Sequence, residues 1–237
     1  MNPVEISNLH FRYPGAGNNI IDGIDLVLKS GEILSVLGLS GCGKSTLCYC
    51  ICGIIPHVYE GELKGNVRIS GKDVSGTSLP VLSTEVGIVF QDPDTQLFSP
   101  TVEDEIAFGP ENLCLDRVEI GRRIGKNLKL VGMEKYRFAH PEKLSGGEKQ
   151  LIAIASVLAL EPKIIIFDES LSQIDTHGKK DIKNVISRLR SEGRSIIMVE
   201  HDIDNLDIAD RVFFMKNGKL YPVESRREEE IFGFYKV

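Results

Sequence analysis

The run Gly38-Leu39-Ser40-Gly41-Cys42-Gly43-Lys44-Ser45-Thr46 spaces its glycines, one lysine and one hydroxyl as a phosphate-binding turn requires. Where a strand empties through such a turn into a helix, several backbone N–H groups are left unpaired. They point at one spot, which the helix dipole makes positive. The chemistry on offer is capture of a nucleoside triphosphate. The glycines let the backbone curl around phosphate, Lys44 adds a mobile charge for the β- and γ-phosphates, and Ser45 offers its hydroxyl to Mg²⁺.

A second group of chemical interest is Asp168-Glu169, which follows Ile164-Ile165-Ile166-Phe167. Carboxylates emerging from a buried strand lie at the sheet edge where open α/β folds bind ligands. Asp168 is placed to hold the metal, directly or through water, and Glu169 to aim the attacking water. Phosphoryl transfer needs little besides metal, in-line positioning and charge compensation. Two acids merely capping a strand are the plainer alternative, which the upstream phosphate loop disfavours.

Buried strands must hold these groups. Ile33 to Leu37, Val86 to Phe90, Ile164 to Phe167 and Ser195 to Val199 are short, nearly continuous apolar runs, as strands covered on both faces of a parallel sheet read. Helices are predicted over Lys44 to Cys52, Gly146 to Leu160 and His177 to Arg190, giving an α/β core. Alternation in Val4 to Leu9, Ile24 to Leu28 and Val67 to Ile69 predicts an N-terminal antiparallel β-subdomain. Between Thr101 and Val131 the rhythm breaks. Acids open a first helical turn there, and Leu115, Val118, Ile124, Leu128 and Val131 recur at helical spacing, predicting an inserted helical lobe. The charged run Ser225 to Glu230 reads as a solvated helix face.

With 237 residues and 42% hydrophobic content, the chain can bury one substantial core and carry a smaller inserted subdomain. A formal charge of −6 argues against a general nucleic-acid binder. No apolar stretch is long enough to cross a bilayer, and Met1 to Leu9 lacks a signal-peptide layout, so a soluble, unexported chain is expected. The five cysteines suit a reducing compartment. On one helix Cys48 and Cys52 share a face and Cys50 points away, so the trio is read as packing rather than a metal site.

Leu144-Ser145-Gly146-Gly147-Glu148-Lys149-Gln150 resembles the signature of ATP-binding cassette (ABC) ATPases. Ser145 and Glu148 also satisfy a capping box, and a helix start with two glycines exposes amides to an anion. Other motifs follow in the family's order. Gln91 resembles the Q-loop glutamine, Ser172-Gln173-Ile174-Asp175 the D-loop, His201 after Val199-Glu200 the switch histidine, and Tyr13 the aromatic residue that stacks on adenine. The resemblance implies a P-loop NTPase core with a mainly parallel sheet, the N-terminal β-subdomain and a helical subdomain inserted over about 92–160, all in one domain spanning 1–237.

It further implies ATP and Mg²⁺ as cofactors. Tyr13, Gly38, Ser40, Gly41, Cys42, Gly43, Lys44, Ser45, Thr46 and Gln91 would surround one nucleotide, with Ser45, Gln91 and Asp168 around the metal. Lys44, Glu169 and His201 would be catalytic, clamping phosphate, polarising water and stabilising the γ-phosphate. Ser145, Gly146, Gly147 and Asp175 would meet the nucleotide of a partner ATPase subunit in a head-to-tail homodimer or paralogous heterodimer.

The segment Gln91 to Asn112 closely resembles the Q-loop region of ATPases from energy-coupling factor (ECF) transporters, which take up vitamins and cobalt or nickel ions in prokaryotes. This implies a transmembrane coupling subunit, a membrane substrate-binding subunit, and a peripheral place on the cytoplasmic face of the membrane. The alternative, a soluble ABC ATPase acting without a membrane partner, leaves that segment unexplained. Leu151, Ser170 and Gln173-Ile174 depart from the usual arginine, proline and Ala-Leu. The short stretch after Tyr221 leads to the expectation of a dimer that forms only with ATP.

Overall fold

The computed structural model describes residues 1–172 and 174–224. Gln173 of the D-loop reading and the charged run Ser225 to Glu230 lie outside the described residues.

Strands β1 (Val4–Arg12) and β2 (Ile21–Leu28) pair antiparallel, and β3 (Ile33–Gly38) then enters a second sheet. The phosphate-loop helix α1 (Lys44–Cys52) and a short turn α2 (Ile54–His57) lead back to β4 (Glu62–Ile69) and β5 (Lys72–Asp73). These complete an antiparallel sheet of order β2-β1-β4-β5. After α3 (Leu79–Ser83) and β6 (Val86–Val89) come α4 (Val102–Asn112), α5 (Arg117–Val131) and α6 (Gly146–Leu158). The chain returns through β7 (Ile164–Asp168), α7 (Thr176–Ser191) and β8 (Ser195–Glu200), ending in the hairpin β9 (Arg211–Lys216) and β10 (Lys219–Val223). The second sheet has the order β10-β9-β3-β8-β7-β6 and is parallel except for β10.

The continuous apolar runs are explained by two covered faces. Leu34, Val36, Ile166, Ile197 and Val199 pack toward α1 and the antiparallel sheet, whereas Ile33, Leu37, Phe167, Ile196 and Met198 pack toward α4 to α7. Helix α1 is consequently buried on both sides. Cys48, Cys50 and Cys52 are all buried in it, and burial pushes the Cys50 thiol up to about 12. Their role is packing, as small apolar groups.

The inserted lobe differs in register from its prediction. Asp116 accepts from Val118 N and Glu119 N, so α5 starts at Arg117, with Leu115 in the preceding connection. Val118, in the first turn, is 84% exposed; the inward face is Ile120, Ile124, Leu128 and Val131. The β9–β10 hairpin was not predicted. It is an edge element whose β10 faces solvent along most of its length. Among the described residues no helix is long and apolar enough to cross a membrane.

Candidate functional site

Strand β3 delivers the chain into the phosphate turn, where two glycines are sterically required. A Cβ at Gly38 would lie 2.6 Å from Met215 O, and one at Gly43, whose φ is 110°, would lie 2.7 Å from Ile20 O. Lys44 follows as the first residue of α1, 4% exposed. Its Nζ donates to Gly38 O at 2.8 Å and Leu39 O at 2.9 Å, and pairs with Glu169 Oε1 at 3.1 Å. The charge is thus held inside the loop by the turn it serves.

The end of β7 lies against the same turn. Ser45 Oγ donates to Asp168 Oδ1 at 3.2 Å. Burial pushes the Asp168 carboxyl above its ordinary range, with the Ser45 hydrogen bond opposing. Glu169 adopts a left-handed φ of 50°, a conformation that costs a non-glycine residue about 1–2 kcal/mol. It aims the side chain back at the loop. Oε1 meets Lys44, and Oε2 meets His201 Nδ1 at 3.1 Å, while Glu169 N donates to Val199 O at 3.0 Å. Lys44, Glu169 and His201, far apart in sequence, therefore form one chain of contacts across the ends of β3, β7 and β8.

These groups suit Mg²⁺ and a triphosphate. A hydroxyl and a buried carboxylate side by side match the few protein oxygens that Mg²⁺ takes when phosphates and water complete its shell. The open turn at Gly41, where a Cβ would meet nothing within 4 Å, leaves the amides accessible to an anion.

Tyr13 is tied to the loop, its hydroxyl 3.3 Å from Thr46 Oγ1 and its ring edge-on to Phe11 at 4.8 Å. Gln91 lies just past β6, its Nε2 donating to Ser172 Oγ at 3.2 Å, beside the turn that follows Glu169. Ser145, Gly146, Gly147 and Asp175 are brought together elsewhere. They line a groove of about 730 Å³ that none of the phosphate-loop residues lines. Ser145 caps α6 reciprocally with Glu148, and Asp175 caps α7 through Gly178 N. Leu151, a mostly buried apolar side chain of α6, lines this groove too.

Sequence reasoning missed several links. Lys149 pairs with Asp94 at 2.6 Å and Gln150 Nε2 donates to Phe90 O at 2.9 Å, so the first turn of α6 grips the segment after β6. Glu200 is fully buried and accepts from Asn205 Nδ2 at 3.0 Å. The parity of β8 signals this burial, since Glu200 shares a face with the buried Ile196 and Met198. Ser170 is 1% exposed and its hydroxyl has no hydrogen-bond partner. Because an unsatisfied buried hydroxyl costs about 1–3 kcal/mol, Ser170→Ala is expected to raise unfolding stability by about 1 kcal/mol in a denaturant titration. A loss of stability would show that the hydroxyl is satisfied.

The sequence pattern of the ABC transporter family matches residues 21–172. A putative ABC transporter ATP-binding protein of Methanosarcina mazei is 46% identical over 219 residues, which are 92% of this chain. The chain spans only 38% of that relative's length. The energy-coupling factor transporter ATP-binding protein EcfA of Methanocaldococcus jannaschii is 41% identical over 92% of the chain and 77% of its own length. CbiO1 of Clostridium perfringens, described as part of the ABC transporter complex CbiONQ, superposes with a TM-score of 0.85 at 33% identity, covering 98% of this chain and 94% of that one.

Proposed function

The chain belongs to the ABC transporter family of P-loop ATPases, and from that premise we propose that it is the ATP-hydrolysing subunit of an ECF-type importer. The observation that carries the catalytic half is the Lys44–Glu169–His201 chain at the mouth of the phosphate loop. Mg²⁺-ATP, when bound, supplies the phosphoryl group and the charge that Ser45, Asp168 and Gln91 would hold. Glu169, fixed at both oxygens, is the carboxylate that orients water and accepts its proton. His201 holds that carboxylate through Nδ1 and adds hydrogen-bonding capacity beside the γ-phosphate, and Lys44 provides the compensating charge. Tyr13, anchored through Thr46, is suited to lie against the base.

The signature residues Ser145, Gly146 and Gly147, together with Asp175, would complete the site of a second ATPase subunit, identical or paralogous. Their separate groove is consistent with this, since a monomer does not bring them to its own phosphate turn. In this reading the whole chain works as one domain, with the helical insertion over about 92–160 facing the membrane partners.

Likeness to EcfA and CbiO1 supports a peripheral place for the chain on the cytoplasmic face of the membrane, with a transmembrane coupling subunit and a membrane substrate-binding subunit as partners in uptake of a vitamin or transition-metal ion. The surface beside the Q-loop fits such contact. Phe98, 66% exposed, stacks edge-on against the exposed Phe108 at 4.8 Å, while buried Glu105 accepts from Phe98 N and Ser99 N and holds the loop out. Exposed apolar rings on a segment whose sequence is rich in acids suit a helix with apolar and basic side chains.

The test is purification of the chain with its membrane subunits in detergent. Gly147→Asp, which puts a carboxylate where a phosphate would be received, is expected to reduce ATP turnover of that complex by about 100-fold with ATP binding retained. Unimpaired turnover would overturn the role of Gly147 in a second subunit's site, and a fully active monomer that retains no membrane subunit would overturn the transporter reading in favour of a soluble ATPase module.

A further inference from the structure

Strand β8 ends in a carboxyl that hydrolysis, as described above, does not use. Glu200 has no exposed surface, and its Oε1 has no hydrogen-bond partner. Its Oε2 accepts from Asn205, itself 1% exposed, in the 3-10 turn Ile203–Ile208. Between these residues the chain is closed a second time, with Asn205 N donating to Asp202 O at 3.3 Å and Asp202 accepting from Asp204 N. His201 lies inside the Glu200–Asn205 link and one residue before the turn closed at Asp202. It is therefore flanked by a fully buried residue and by a hydrogen-bonded turn, while its ring reaches out to Glu169.

We propose that Glu200 is a positioning residue for His201, locking the turn through Asn205 so that the imidazole meets Glu169 in one geometry. The inference rests on the ATPase reading and deepens it. A buried, half-partnered carboxyl is cheap to keep only as the neutral acid, and burial pushes Glu200 up to about 7. The surrounding charges are mixed. Glu169 at the end of β7 and Asp202 in the turn disfavour ionisation, whereas Lys179 of α7, paired with Asp202 at 3.3 Å, favours it. From β3 the facing residue is the apolar Leu37. His201 itself points away, toward Glu169.

Two readouts test this, one of them independent of nucleotide. The folded carboxyl titrates above its ordinary value of 4.5, so the folded state binds the extra proton and wild-type stability falls as pH rises from 4.5 to about 7. Glu200→Gln cannot ionise. Its unfolding midpoint relative to wild type is expected to be clearly higher at about pH 8 than at about pH 5. A difference that is the same at both pH values, or reversed, overturns the assignment of a neutral acid.

The second readout is turnover by the complete complex. Glu200→Leu, which removes the link to Asn205, is expected to lower kcat about tenfold with KM for ATP nearly unchanged, and Glu200→Gln, which can still accept from Asn205, to recover most of it. In a His201→Ala background, Glu200→Leu is expected to have little further effect. Equal losses with and without His201 would show a merely structural role and overturn the proposal. Wild-type complex that hydrolyses no ATP would instead overturn the ATPase reading, leaving the unfolding measurement to judge Glu200. If Glu200→Leu fails to fold, Asn205→Ala, which removes the same link from the other side, is compared with and without His201 and read in the same way.

Discussion

Replacing Glu169 with Gln is expected to lower ATP turnover by about 100-fold or more, in line with the usual contribution of a positioned general base. Nucleotide affinity should stay within about threefold, because the affinity groups are elsewhere, in Lys44, Ser45 and the turn amides. The substitution is nearly isosteric. It leaves a side chain of the same length between Lys44 and His201, and one amide oxygen can still accept from either. What it removes is the negative charge and the capacity to take a proton. Turnover of the purified complex alongside equilibrium ATP binding distinguishes these roles. Hydrolysis near the wild-type rate would remove Glu169 from the reaction.

Lys44→Ala is expected to weaken ATP binding itself, by about 100-fold. Charge-assisted hydrogen bonds contribute about 1.5–3 kcal/mol each, and an ammonium this buried is screened little by water. Lys44 is held within the turn by two loop carbonyls and Glu169, so it presents its charge with no rearrangement of the backbone. Titration calorimetry with ATP reads the loss directly. Affinity within about threefold of wild type would mean that turn amides alone hold the phosphates.

The strands flanking the site were legible because burial on two faces leaves no room for polar residues, and Ile164 to Phe167 or Ser195 to Val199 show it. The phosphate turn was legible because its glycines answer to local sterics. What the sequence did not disclose depends on distant partners. The Tyr13 link to Thr46, the grip of Lys149 on Asp94 and the link from Gln91 to Ser172 join residues widely separated in the chain. Spacing along one segment carries no trace of such pairings. Val118 shows the opposite limit: it fits the helical spacing of its apolar neighbours, but the cap at Asp116 sets the start of α5 and Val118 faces outward. Strand β9 pairs with β3, and its neighbour β10 is mostly exposed, so the hairpin lacked the one-sided pattern that marks an edge strand.

Helix α1 is wedged between two sheets, with seven of its nine residues buried and only Ser45 and Tyr49 partly exposed. Close-packed interiors barely compress, so the element that bears the phosphate charge serves as an anvil. The α4–α6 lobe, by contrast, covers a single face of the parallel sheet. On the proposed reading, movement that follows nucleotide binding falls to the one-sided lobe rather than to this enclosed helix.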